Sequence, residues 1–149
     1  MRLAIDSNIL VYAADVDAEH RHVRAKALVA AASRADCVLP LQSLAEFFFV
    51  TVRKKKLSQQ EAQFAIQTWL DVFPVVSASH HGLTSAIATV RLHQIGFWDA
   101  MLVATAEEAG CDLLVSEDLQ DRRRIGRVTI VNPFGPEMPP LLREALRLP

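Results

Sequence analysis

Four carboxylates stand where the surrounding residues give a charge little reason to be. Asp6 ends the apolar run Leu3-Ala4-Ile5. Glu46 interrupts Leu44-Ala45-Glu46-Phe47-Phe48-Phe49-Val50. Asp99 is the one charge in Phe97-Trp98-Asp99-Ala100-Met101-Leu102-Val103, and Asp118 follows Leu113-Leu114-Val115-Ser116-Glu117. An ionised carboxylate in apolar company loses hydration, so it must find a cation or a basic partner, or take up a proton. Each acid also has an ordinary structural reading. Asp6 suits a strand-end turn, Glu46 the polar edge of a helix beside Gln42 and Ser43, Asp99 a helix-start cap, and Asp118 a loop. Taken together they suggest one cluster, and clustered carboxylates repel unless a cation neutralises them. The five histidines fall at no zinc-site spacing and no CxxC is present, so the donors are hard oxygens and the expected ion is Mg²⁺ or Mn²⁺.

The elements that must position these acids follow from periodicity. Short apolar runs predict strands at 3–5, 37–39, 74–76, 113–115 and 128–131. Residues 8–14 read as a short helix or turn. Helical patterns cover 18–33, with Asp17 as a possible cap and Val23, Ala27, Leu28 and Ala31 on one face. Further helices are predicted over 41–53, over 59–72 behind the capping-box signature Ser58-Gln59-Gln60-Glu61, over 80–93, and over 100–109 with Gly110 just past the end. Strands alternating with helices predict an α/β architecture with a parallel sheet. Such sheets gather ligands beyond the carboxyl ends of their strands, where Asp6 and Asp118 fall. The core is expected over about 2–134, with a Pro-rich tail to 149 carrying Leu141, Leu142, Ala145 and Leu146.

Length and charge bound the rest. A chain of 149 residues, half of it apolar, suits one domain with one core. No apolar run is long enough to span a bilayer and no signal peptide is evident, so the expected compartment is the cytoplasm. Cys37 and Cys111 are expected to be buried thiols. A net charge of −1 gives no overall attraction for nucleic acid. Two local basic runs do: Lys54, Lys55 and Lys56 after Arg53, and Arg122, Arg123 and Arg124 before Arg127.

The ordered set Ile5-Asp6-Ser7-Asn8, Glu46, Phe97-Trp98-Asp99-Ala100 and Val115-Ser116-Glu117-Asp118 resembles the PIN-domain ribonucleases, and within them the VapC toxins of toxin–antitoxin pairs. The resemblance covers most of the chain. It implies a PIN-like three-layer α/β fold with a central parallel sheet flanked by helices, and an endoribonuclease dependent on a divalent metal. Asp6, Glu46, Asp99 and Asp118 would be the catalytic metal ligands. Ser7 and Ser116 would orient them. Which of the neighbours Glu117 and Asp118 faces the site is open. The basic runs would grip RNA phosphates, or an acidic stretch of an antitoxin. The resemblance also implies a homodimer and a cognate antitoxin as partners.

Other classes compete. A phosphatase that starts with a strand-end Asp would want a second Asp two residues on, where this chain has Asn8. A phospho-receiver domain would want a Lys after a late strand, where Asn132-Pro133 follows Val131. A PIN-like domain that only binds RNA or a partner is a third reading.

Overall fold

The computed structural model describes residues 1–149. A six-stranded sheet has the order β3-β2-β1-β4-β6-β5. Its strands are β1 (Leu3–Ile5), β2 (Cys37–Pro40), β3 (Val75–Val76), β4 (Leu113–Val115), β5 (Arg124–Ile125) and β6 (Val128–Val131). All pairings are parallel except β5 with β6. The helices are α1 (Ser7–Ala14), α2 (His20–Ala32), α3 (Leu41–Arg53), α4 (Gln59–Val72), α5 (His80–His93), α6 (Phe97–Glu108) and α7 (Pro140–Ala145).

Alternate strand residues point to opposite faces, and both faces are covered. Leu3, Ile5, Leu39, Leu113, Val115 and Val131 enter the larger core, with Ile9 and Leu10 of α1, Leu28 of α2 and Phe47 of α3. Ala4, Val38, Leu114, Val128 and Ile130 enter the second core, against Leu102, Val103 and Ala106 of α6. This is the three-layer α/β arrangement expected. No helix is long and apolar enough to cross a membrane. Cys37 and Cys111 are buried free thiols, 4% and 0% exposed.

The capping box forms as expected: Ser58 caps Glu61 while Glu61 returns a hydrogen bond to Ser58. Gly110 takes φ +75° after α6, as its place at the helix end requires. Other details differ from the sequence reading. Asp17 does not cap α2. Asp15 instead accepts from the Asp17 amide and caps a 3₁₀ turn, Val16–Ala18, and α2 opens at His20 behind Glu19, which caps nothing with its side chain. On α2, Ala25, Leu28, Val29, Ala31 and Ala32 are buried, while Val23 is 69% exposed. Of the face expected, Leu28 and Ala31 are buried and Val23 and Ala27 are exposed, because alanines populate both sides of this helix. The hairpin strand β5 was not expected. α6 begins at Phe97 rather than residue 100, which brings Asp99 into its first turn.

Candidate active site

Strand register builds one half of the site. Leu3 pairs with Leu113, and Ile5 with Val115, so the next residues on the two strands, Asp6 and Ser116, emerge side by side. The Asp6 amide donates to the Val115 carbonyl at 3.0 Å, extending the ladder to the turn. Ser116 Oγ then donates to Asp6 Oδ2 at 2.7 Å, in a fully buried setting. Asp6 also caps α1: its Oδ1 accepts from the Ser7 amide at 2.6 Å. The structural reading of Asp6 is thus correct, and it coexists with a position at the carboxyl edge of the sheet.

Three further polar residues tie the acids together. Ser7 Oγ donates to Glu46 Oε2 at 2.8 Å, and lies 3.3 Å from Asp6 Oδ1. Asn8 Nδ2 lies 3.1 Å from Asp6 Oδ2, 3.0 Å from Asp118 Oδ2 and 3.2 Å from Ser116 Oγ. Gln42 Nε2 donates to Glu46 Oε1 at 2.8 Å and to the Trp98 carbonyl at 3.0 Å, fastening α3 to the start of α6. Asn8 and Gln42 were not singled out from sequence as site residues. Their spacing carried the signal: Asn8 is two residues from Asp6, and Gln42 is one helical turn before Glu46.

Electrostatics set these acids apart. Burial pushes the Asp6 carboxyl up to about 6, against the hydrogen bonds from Ser116 and Ser7 and with the charges of Glu46 and Asp118 adding to the rise. Asp99 is raised too, first by burial and then by Asp118 and Glu46. Asp99 has no hydrogen-bond donor from the protein, and none of the four acids forms an ion pair with Lys or Arg. Glu117 contrasts with its neighbour. Its Oε1 is 2.6 Å from Arg21, and although burial works the other way, that partner holds its carboxyl below the usual range. Glu117 is therefore committed to α2, while Asp118 is exposed and meets Asn8.

The four acids feel one another, yet no three of the chain's Asp, Glu, His and Cys side chains are gathered tightly enough to be a ready-made ion site. Carboxylates without basic partners, fed only by neutral donors, fit a hard divalent cation as their missing charge.

The basic runs lie less centrally. Lys54, Lys55 and Lys56 follow the far end of α3, and Lys56 is paired with Asp15 at 3.2 Å and Asp17 at 3.6 Å. Arg122 is 3.6 Å from Asp121 and otherwise exposed. Arg123 donates to the His93 carbonyl, and Arg124 to the Gly126 carbonyl at 3.2 Å. Of the apolar residues on α3, α4 and the tail, Phe47, Leu142 and Leu146 are core, and Trp69 packs edge-on against Phe47 at 4.8 Å. Phe49 remains 61% exposed.

Comparison with known proteins identifies the fold. The PIN domain profile matches residues 3–127. No curated protein matches the chain. Among solved structures, a toxin–antitoxin complex from Klebsiella pneumoniae contains a chain of similar fold: TM-score 0.64, 22% identity, 90% of this chain and 98% of that one covered. Mycobacterium tuberculosis VapC20, a sarcin-ricin loop cleaving toxin, aligns with TM-score 0.63 and 18% identity over 75% of this chain and 86% of its own. VapBC2 from Rickettsia felis, solved on a DNA fragment from its promoter, gives TM-score 0.62 and 15% identity over 87% and 97%. At these identities the likeness is one of fold.

Proposed function

The chain belongs to the PIN-domain family, and on that premise we propose that it is a Mg²⁺- or Mn²⁺-dependent endoribonuclease, the toxin of a toxin–antitoxin pair. The observation that carries this reading is that the charges of Glu46 and Asp118 act on both Asp6 and Asp99, while no basic side chain is paired to any of the four acids.

The four acids would hold the cation, and Ser7, Asn8, Ser116 and Gln42 would set the direction of each carboxylate. The bound ion supplies Lewis acidity and neutralises charge at the scissile phosphate. Buried against Ser116, Asp6 offers a rigid anchor. Asp99, with no donor of its own, is free to turn toward the ion or toward a proton on the attacking water. Glu46 receives two neutral donors, from Ser7 and Gln42, which aim its carboxylate. The exposed Lys54, Lys55 and Arg122 would attract RNA phosphates, a contribution that carries no base information.

Partners follow from the same reading. RNA is the substrate, a cognate antitoxin the inhibitor, and a homodimer the working form in the cytoplasm. Similarity to chains solved as toxin–antitoxin complexes supports the antitoxin. Size-exclusion chromatography of the protein alone and co-expressed with the product of its neighbouring gene tests both assemblies. A monomer indifferent to that neighbour counts against the toxin reading.

The direct test is cleavage of mixed cellular RNA with Mg²⁺ or Mn²⁺, with EDTA, and with Asp99→Asn. Metal-dependent cleavage lost in the variant is the expected result. Absence of cleavage together with absence of metal binding by calorimetry would replace the nuclease with a non-catalytic PIN-like binding module.

A further inference from the structure

Helix α3 does more than deliver Glu46. Residues Gln42, Glu46, Phe49 and Arg53 recur at four, three and four residues, so they form one stripe along the helix. The stripe runs from a polar amide, through a carboxylate and an aromatic ring, to a guanidinium. Glu46 and Arg53 are seven residues apart, or about 10 Å of helix axis.

Beside this stripe lies a cavity of about 380 Å³ walled by Gln42, Ala45, Glu46, Phe49 and Trp98. Its two aromatic walls are unusually open for their size: Trp98 is 65% exposed and Phe49 is 61% exposed. Neither is left loose. Gln42 clamps the Trp98 carbonyl, Phe97 packs edge-on against the Trp98 indole at 5.1 Å, and the Arg53 guanidinium sits 5.7 Å from the centre of the Phe49 ring. A larger cavity, about 610 Å³ between α2 and the tail, includes none of the four acids.

We infer that the slot between Trp98 and Phe49 is a base-binding subsite, holding one unstacked nucleobase of a single-stranded or looped RNA beside the carboxylates, with Arg53 engaging a phosphate further along the strand. The inference rests on the ribonuclease reading and adds to it the substrate class and the residues that select it. An aromatic slot accepts any base through its π-face, but only when that base is out of a duplex. The order acid, ring, cation along α3 matches the order of a strand whose scissile phosphate lies at the acids, whose next base stacks, and whose next phosphate meets Arg53. A second copy of this chain would also cover exposed aromatic rings, but it gives no role to the Glu46 carboxylate in the wall of the slot or to the Arg53 guanidinium beside Phe49.

The test is steady-state cleavage of a short fluorescent single-stranded RNA, with circular dichroism to confirm folding. Trp98→Ala and Phe49→Ala should each raise KM by roughly 5- to 100-fold, the range of one lost base stack, with kcat largely retained. Trp98→Phe should restore most of the loss. A substrate with an abasic site beside the cut should be cleaved equally by wild type and Trp98→Ala. In parallel, a trinucleotide in EDTA should quench Trp98 fluorescence in a Trp69→Phe background. Cleavage with KM unchanged in both alanine variants and no quenching overturns the subsite and leaves the nuclease standing. Quenching without any cleavage keeps the subsite and removes the nuclease. Neither cleavage nor quenching removes both. Variants that turn a dimer into monomers without moving KM assign the face to subunit contact and overturn the proposal.

Discussion

Ser116 Oγ donates to Asp6 Oδ2 at 2.7 Å, across the seam where two parallel strands end in register. The bond is wholly buried, and it joins residues 110 positions apart. Ser116 also accepts from the Asp118 amide at 3.2 Å, so one hydroxyl fixes the direction of one acid and the turn carrying another. Removing it leaves Asp6 short of its strongest neutral donor. Ser116→Ala should weaken Mn²⁺ binding by about 10- to 100-fold, as loss of a ligand's supporting hydrogen bond typically does. Isothermal titration of the two proteins reads this directly. Equal affinities would mean that Ser7 and Asn8 suffice to hold Asp6, or that Asp6 is not a ligand.

Asp6 makes the metal-free protein sensitive to pH in a defined direction. Its folded carboxyl titrates at about 6, above the value of an unfolded aspartate near 3.9. Between those values the folded state keeps a proton that the unfolded state has released, so stability falls as pH rises through this window and levels off above it. The full effect is on the order of 3 kcal/mol as an upper bound. Urea unfolding in EDTA at pH 4.5 and pH 7.5 should show the loss, and Asp6→Asn should remove most of it. A wild type and an Asp6→Asn protein with the same pH dependence would refute the assignment.

Neighbouring acids should behave differently. Glu117 is paired with Arg21 at 2.6 Å and turned toward α2, whereas Asp118 accepts from Asn8 at the site. Glu117→Gln should leave cleavage within about threefold of wild type, because its carboxylate is engaged by Arg21 rather than by the site and a partly exposed pair contributes on the order of 1 kcal/mol or less. Asp118→Asn should lower cleavage far more. Parallel single-turnover assays separate the two, and a larger loss at Glu117 would reverse their roles.

The local grammar of the chain was legible in proportion to how strongly each segment punctuates itself. α3 and α4 were placed at their true bounds because Pro40, the lysine run and the Ser58 capping box mark their ends. The Asp6 turn was legible because three apolar residues stop at a charge. The buried face of α2 was only half legible, at Leu28 and Ala31, because its seven alanines and valines leave no single apolar stripe to read. Arg122, Arg123 and Arg124 were read as one phosphate-binding run. In three dimensions the hairpin β5–β6 sends them to different carbonyl and carboxylate partners. Asn8 and Gln42 escaped because an amide has no charge to look out of place. Their role exists only once the strands and α6 bring the acids to them.

Asp99 offers the cleanest test that the acids form one cation site, because its contribution can be read without any RNA. It is half-buried in the first turn of α6, it receives no protein hydrogen bond, and burial followed by the charges of Asp118 and Glu46 raises its carboxyl. A ligand that binds only the folded state stabilises it by RT ln(1 + [L]/Kd), about 2.7 kcal/mol at a hundredfold excess over Kd. Mn²⁺ should therefore raise the melting temperature of the wild type by several degrees, as expected for a domain of this size. In Asp99→Asn the mutual repulsion is relieved at the start, so the metal-free protein should melt at or above the wild-type temperature, and Mn²⁺ should shift it little. Differential scanning fluorimetry with Mn²⁺, Mg²⁺ and EDTA measures both arms. A metal-induced shift equal in the two proteins would place the ion elsewhere. A destabilised Asp99→Asn would show that the carboxylate serves the helix start rather than a cation.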